Sequence, residues 1–374
     1  MTILLTGATG FLGMEFVARA VQADTADVVC VIRADDDAHA ARRLHDTLTT
    51  LYGDDVPAAA DDRLIAVAGN LEQPGLGLGP AAASLVADRV TRIVHGAASI
   101  RFDLPLDEAR AVNVDGTAHV LGVARALHAA GRLRRYVHVS TAYVAGRHAG
   151  DVHESGSPVT GAPRNTYEQT KREAEVLVRE AAAAGLPAVI ARPSIVVGDS
   201  QTGWTPAFNV LYWPLRALSR GMLGATVPAD PDGLVDVVPV DFVADAIAYL
   251  TVTDEPVSGT YHLTAGPAAT QIGELMDMGC AAFGCDRPAV APPIAAGDVD
   301  GSGHEAGVFI PYFDVLSHFD ATRARALLEP AGITCPPLAD YFDRIVGYAV
   351  AARWGKTGCT RAAAGVQPDA VSAI

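Results

Sequence analysis

Short apolar runs alternate with longer, Ala-rich amphipathic stretches through the first half of the chain. The runs predict strands at Ile3–Leu5, Val28–Ile32, Leu64–Val67, Arg92–His95, Tyr136–Val139 and Ala188–Arg192. The stretches between them predict helices at Phe11–Gln22, Asp37–Leu51, Leu106–Ala130 and Arg164–Ala184. Alternating strands and helices, with strands apolar on both faces, predict a parallel sheet covered on both sides. The expected fold class is therefore α/β, a Rossmann-type doubly wound parallel sheet. Such sheets bind cofactors at the carboxyl ends of their strands.

The pattern changes after Gly198. Residues 201–233 are rich in Gly, Pro, Trp and Tyr and hold the apolar run Trp204–Leu215. Val240–Leu250 and Gln271–Phe283 read as helices, Gly259–Leu263 as a strand, Ala289–Gly307 as a loop and Pro337–Trp354 as helical. The expected division is a dinucleotide-binding domain over 1–200 and a smaller C-terminal substrate-binding lobe over 201–354. Within that lobe, 235–265 return to the first domain. Residues 355–374 are small and polar, and are expected to fray as a flexible tail.

Composition narrows the classes. Half of the 374 residues are hydrophobic and 19% are charged, enough apolar material for a large core. A formal net charge of −15 argues against nucleic-acid binding, which needs a broad basic surface. The five Cys, at 30, 280, 285, 335 and 359, show no zinc-ligand spacing, so no metal site is expected. Their odd number suits free thiols in a reducing cytoplasm. The chain opens on a strand rather than a signal peptide, and no uncharged apolar stretch reaches the ~18 residues of a membrane span.

The candidate chemistry lies in three ordered segments. Thr6–Gly13 follows the first strand and opens the first helix. There Gly7, Thr9, Gly10, Phe11, Leu12 and Gly13 are placed to turn the chain tightly and offer free N–H groups to a pyrophosphate. The second strand ends in Arg33 rather than an acidic residue. Arg33 and Arg43 form a candidate clamp on a ribose 2′-phosphate, which points to NADP(H) over NAD. Asn70 and Leu71, after the third strand, border the expected adenine site. Ala97 and Ala98, after the fourth, let backbone approach the ribose and phosphates.

The third segment is catalytic. Tyr167 and Lys171 stand at i and i+4 on one helix, where a protonated amine is expected to lower the phenol pKa. Thr141 ends a strand upstream and is expected to hydrogen-bond a substrate oxygen. Pro193 and Ser194 follow the next strand and line the expected nicotinamide site.

With these segments in place, the chain resembles the extended short-chain dehydrogenase/reductases, most of all the fatty acyl-CoA reductase and carrier-protein thioester reductase branch. The resemblance covers about residues 2–285. It rests on Thr6–Gly13, Cys30–Ala34, His95–Asp103, Asn113–Thr117, His138–Tyr143, Tyr167 with Lys171, Arg192–Gly203 and Val235–Asp241. It implies an NADPH site, a Thr141/Tyr167/Lys171 triad, and an acyl thioester substrate reduced to aldehyde or further to alcohol. Asn70 departs from the Asp usual in the branch. The chain carries no adenylation or carrier segment, so the thioester is expected from CoA or a separate carrier protein. The apolar run Trp204–Leu215 suits an acyl site or its lid. A ketone or aldehyde reductase, a hydroxysteroid-type dehydrogenase, a nucleotide-sugar epimerase or dehydratase, and a non-catalytic NADP sensor remain as alternatives.

Overall fold

The computed structural model describes residues 1–23, 26–155, 161–208, 210–291, 312 and 315–365. In chain order the first half runs β1 (Thr2–Thr6), α1 (Phe11–Ala23), β2 (Asp27–Arg33), α2 (Asp37–Tyr52), α3 (Ala58–Arg63), β3 (Leu64–Gly69), α4 (Pro80–Arg89), β4 (Arg92–His95), α5 (Leu106–Arg110), α6 (Gly116–Ala129), β5 (Arg135–Val139), β6 (Gly150–Val152), α7 (Thr166–Ala183) and β7 (Ala188–Pro193). The second half runs β8 (Ile195–Val197), α8 (Tyr212–Ser219), β9 (Thr226–Pro228), β10 (Leu234–Val235), β11 (Val237–Pro239), α9 (Val240–Val252), β12 (Gly259–Leu263), β13 (Thr270–Gln271), α10 (Ile272–Phe283), β14 (Ala289–Ala291), β15 (Ser317–Phe319), α11 (Thr322–Leu328) and α12 (Phe342–Ala351).

Seven strands form one parallel sheet in the order β12-β7-β5-β4-β1-β2-β3. All five residues of β1 are buried, as a central strand with helices on both faces requires. The chain winds outward from β1 to β3, then crosses to β4 on the other side of β1. The order therefore reverses between β1 and β4, and the crevice at that switch point is where a doubly wound sheet takes its ligand. Gly259–Leu263 joins this sheet at its edge beside β7, and α9 packs its Val243, Ile247 and Leu250 into the same core.

The lobe is built from two-stranded pieces: β8 with β11, β9 with β14, β10 with β13, and β15 with β6. Its own core gathers Tyr143, Leu211, Tyr212, Leu215, Phe319, Phe342 and Ile345. Among the described residues no helix is long and apolar enough to cross a membrane.

Four expectations change here. The helix read over 106–130 is interrupted by a π-helical turn at Ala111–Asp115, a feature that a 3.6-residue apolar period cannot signal. α3 and α4 fall in regions the apolar pattern leaves blank. α3 has six residues and buries only Ala60, and α4 buries only Ala82 and Val86. The run at 204–215 is core in part: Trp204 enters the main core, and Leu211, Tyr212 and Leu215 enter that of the lobe, while Trp213, Pro214 and Leu215 also line an apolar pocket. The expected tail is docked as far as Ala362. The Trp204 indole donates to the Cys359 carbonyl (3.0 Å), and the amides of Arg361 and Ala362 bond the carbonyls of Thr50 and Leu51. Buried Arg361 pairs with Glu15 of α1 at 2.9 Å. Most of the loop read at 289–307, and the tail beyond 365, lie outside the described residues.

Candidate active site

The two loops at the switch point touch. Gly7 has φ +84°, and a Cβ there would lie 2.7 Å from the Ala97 nitrogen, so glycine alone allows this approach. A Cβ on Gly13 would lie 1.9 Å from the Gly7 carbonyl oxygen. Gly13 thus lets the first turn of α1 pack against the loop, and Gly10 closes that loop by donating to the Gly7 carbonyl at 2.9 Å. Thr9, Gly10, Phe11 and Leu12 remain at least partly exposed at the helix start. The N–H groups of Phe11, Leu12 and Gly13, in the first turn of α1, have no intrahelical acceptor, and this cradle fits a dinucleotide pyrophosphate. Ala97 is held by an amide bond to the Thr6 hydroxyl (3.3 Å), and Ala98 follows it in the same loop.

A cleft of about 660 Å³ opens beside the cradle, lined by Arg33, Ala34, Asp35, Asp36, Asp37, Gly69 and Asn70 among others. Two of the acidic residues are committed to the turn. Asp36 caps α2 by accepting from the His39 amide at 2.6 Å, and Asp37 accepts from the Ala68 amide at 2.7 Å. Arg33 is exposed in the cleft, whereas Arg43 donates to the Arg33 carbonyl and is not among the residues lining it. Leu71 stands apart from the cleft, against Gly116, its carbonyl bonded to His119 at 2.7 Å.

The catalytic candidates converge at the carboxyl ends of β5 and β7. Asn165 caps α7 by accepting from the Glu168 amide at 2.9 Å, which places Tyr167 in the first turn. Thr141, at the end of β5, comes close enough to the Tyr167 phenol to oppose the rise in its pKa. Thr141 is buried, accepts from the Tyr143 amide (3.2 Å) and donates to the Pro193 carbonyl (3.3 Å). Phe102 packs on the Tyr167 ring with centroids 5.6 Å apart. Ser194 is buried at the end of β7, its amide bonded to the Leu263 carbonyl.

Lys171 is 3% exposed and its ammonium donates to the Val139 carbonyl at 2.8 Å. The expected lowering of the Tyr167 pKa is reversed. Burial raises the phenol to about 12, opposed by the nearby Thr141. Burial also pulls Lys171 down to about 8, against the charge of Glu175. His95 serves structure: buried between the hydroxyls of Thr6 (2.8 Å) and Thr117 (3.0 Å), it is held neutral, near 3, by burial and the Lys171 charge.

Sequence reading gives Asn113 no role beyond its place in a motif. It sits in the π-helical turn, 2% exposed. Its amide donates to the Thr170 hydroxyl (2.9 Å) and the Ser99 carbonyl (3.1 Å), and it accepts from the Ser99 amide (2.8 Å). It therefore ties the loop after β4 to the helix that carries Tyr167 and Lys171. The available signal is an amide side chain on the inner face of an otherwise apolar helix.

A family model described as "Male sterility protein", for an NAD-binding domain, matches residues 5–247. The chain belongs to this NAD-binding family of extended short-chain dehydrogenase/reductases. A linear gramicidin synthase polypeptide of Brevibacillus parabrevis is 30% identical over 364 residues, which is 92% of this chain and 7% of that protein. The chain thus spans a small fraction of that synthase. The terminal R domain of the myxalamid PKS-NRPS biosynthetic pathway superposes with TM-score 0.79 at 28% identity, covering 96% of this chain and 92% of that one. A thiolation-reductase di-domain from an archaeal non-ribosomal peptide synthetase shares the fold, with TM-score 0.74 at 19% identity over 95% of this chain and 91% of that one. The fold, the cradle and the family together establish a nicotinamide cofactor.

Proposed function

We propose that this chain reduces an acyl thioester to an aldehyde with NADPH, the acyl group arriving on a carrier protein or on CoA. The observation that carries the chemistry is the convergence of Tyr167 and buried Lys171, one turn apart on α7, with buried Thr141 at the end of β5. The likeness to the myxalamid terminal R domain along 96% of the chain supports the thioester. For the cofactor, Arg33 is exposed in the cleft while Asp36 and Asp37 are committed to the turn. That arrangement favours a 2′-phosphate over a ribose 2′-hydroxyl.

Gly7, Gly10, Phe11, Leu12 and Gly13 would hold the pyrophosphate, Arg33 the 2′-phosphate, and Pro193 and Ser194 the nicotinamide. When bound, NADPH supplies the hydride. Thr141 and Tyr167 hold the thioester oxygen and stabilise its developing negative charge. Tyr167 gives that oxygen its proton. Breaking the C–S bond of the resulting hemithioacetal releases thiol and aldehyde.

The test is a substrate panel of acyl-CoA, acyl-pantetheine, acyl-carrier protein, aldehyde, ketone and sugar nucleotide. NADPH absorbance and thiol release are followed together. Equal amounts of NADP⁺ and free thiol from a thioester are expected. NADPH oxidation with a ketone or aldehyde, and none with any thioester, would move the chain to the alcohol-dehydrogenase reading.

A further inference from the structure

The chain holds two lysines, Lys171 and Lys356, and Arg at every other Lys/Arg position. Lys356 is exposed, Lys171 buried. A guanidinium keeps its charge in almost any setting, whereas a buried amine keeps its charge only if its neighbours favour it. One turn beyond Lys171 lies Glu175, 1% exposed, so Tyr167, Lys171 and Glu175 share one face of α7 at i, i+4 and i+8.

The Glu175 carboxylate is fully engaged. One oxygen accepts from the Ser140 hydroxyl (2.8 Å) and Arg192 Nε (3.0 Å). The other accepts from Arg192 Nη2 and Arg179 Nε (2.9 Å). Ser140 immediately precedes Thr141 at the end of β5. We propose that Glu175 is the positioning residue of this site: through Ser140 it anchors the strand end that carries Thr141, and through space it keeps Lys171 protonated. This rests on the triad reading above and adds to it the residue that sets the charge of the amine.

The surroundings of Lys171 support the assignment. From its own helix it faces Tyr167 and Glu175, from β4 His95, and from β5 His138. Both histidines are buried and neutral, held far below the usual range by burial and then by Lys171 itself. The anion in this set is Glu175. Burial alone would push its carboxyl up, but Arg192 and then Arg179 hold it below the usual carboxylate range. Arg172 on the same helix and His262 on β12, held neutral by burial, complete the titratable groups around it. Glu175 therefore stays ionised at neutral pH, and its field opposes the burial that lowers the amine to about 8.

Isotope-labelled lysine gives this protein two Cε resonances, and Lys356→Arg identifies which belongs to Lys171. Titration of the free protein then reads the Lys171 midpoint directly. In Glu175→Gln it should fall by about one pH unit, while Glu175→Asp, which keeps the charge, should restore most of the loss. A fall of less than about half a unit in folded Glu175→Gln protein overturns the inference. Should Glu175→Gln leave Arg192 unpaired and the chain unfolded, Glu175→Gln/Arg192→Leu removes both charges, and its Lys171 midpoint should lie about one pH unit below that of Arg192→Leu alone. In kinetics, the basic limb of kcat for Glu175→Gln should shift by the same amount. The resonance needs no substrate: a panel with no thioester reduction leaves it standing, and an unmoved midpoint in an active thioester reductase refutes Glu175 alone.

Discussion

Replacing Tyr167 by Phe removes one oxygen and little else. The ring stays in place against Phe102, whose centroid lies 5.6 Å away. Any bond from the phenol to the nearby Thr141 hydroxyl is lost, which costs stability no more than about 1 kcal/mol. Thr141 keeps its contacts with the Tyr143 amide and the Pro193 carbonyl, so the strand end should not move. A phenol raised to about 12 is neutral at pH 7, and its removal changes no ground-state charge. NADPH affinity should therefore hold within about twofold, an effect below ~0.5 kcal/mol. The reaction, however, loses its proton donor, which contributes roughly 10²- to 10⁴-fold, or about 3–5 kcal/mol of barrier. Single-turnover NADPH oxidation on a thioester should show this loss in kcat with KM nearly unchanged. Thermal melting and cofactor titration report fold and binding on the same sample. Near-normal turnover by folded Tyr167→Phe protein would refute the assignment of Tyr167 as the acid.

Two further outcomes test the cofactor end. Arg33→Ala should weaken NADPH by roughly ten- to a hundredfold, from ~1.5–3 kcal/mol per charge-assisted bond to phosphate, and leave NADH almost unchanged; equal losses with both cofactors would remove Arg33 from the 2′-phosphate. Gly13→Ala places its methyl 1.9 Å from the Gly7 carbonyl oxygen, so overpacking of ~1–3 kcal/mol should lower the melting temperature and cut NADPH affinity together, and unchanged values for both would show that the loop and helix start do not pack as described.

What the chain shows before folding follows from the range over which each feature is encoded. The β1 and β2 strands are legible because both faces are buried and the run of apolar residues is continuous. The Gly7–Gly13 turn and the Tyr167/Lys171 pair are legible because their spacing is local. Asn113 is not: its partners Ser99 and Thr170 lie 14 and 57 positions away, and the π-helical turn that aims it leaves no mark on the apolar period. Arg361 reads as part of a polar tail because its partner is Glu15 on α1. Arg33 and Arg43 read as a pair from their spacing, yet the structure sends Arg43 back to the Arg33 carbonyl. The direction of the Tyr167 shift fails for another reason. A sequence shows a neighbouring amine at i+4, but not that the phenol is enclosed or that the amine is bonded to Val139.

The protonation states of the pair bear on the chemistry. Tyr167 near 12 and Lys171 near 8 are titratable groups whose shared burial moves one up and the other down, each toward its neutral form. A phenol that keeps its proton throughout the neutral range is ready to give it to an oxyanion as that charge appears. Running the same site as an alcohol dehydrogenase would first require the phenolate, which burial disfavours. The resting site therefore holds the proton that carbonyl reduction needs, as a phenol at its ordinary value near 10 also would. Matched forward and reverse assays make the argument checkable. Thioester or aldehyde reduction should fall as pH rises through about 8, where Lys171 has lost half of its proton, while any alcohol oxidation should be slow at neutral pH. An oxidation rate at pH 7 that exceeds reduction would show that the phenol is not held in its protonated form.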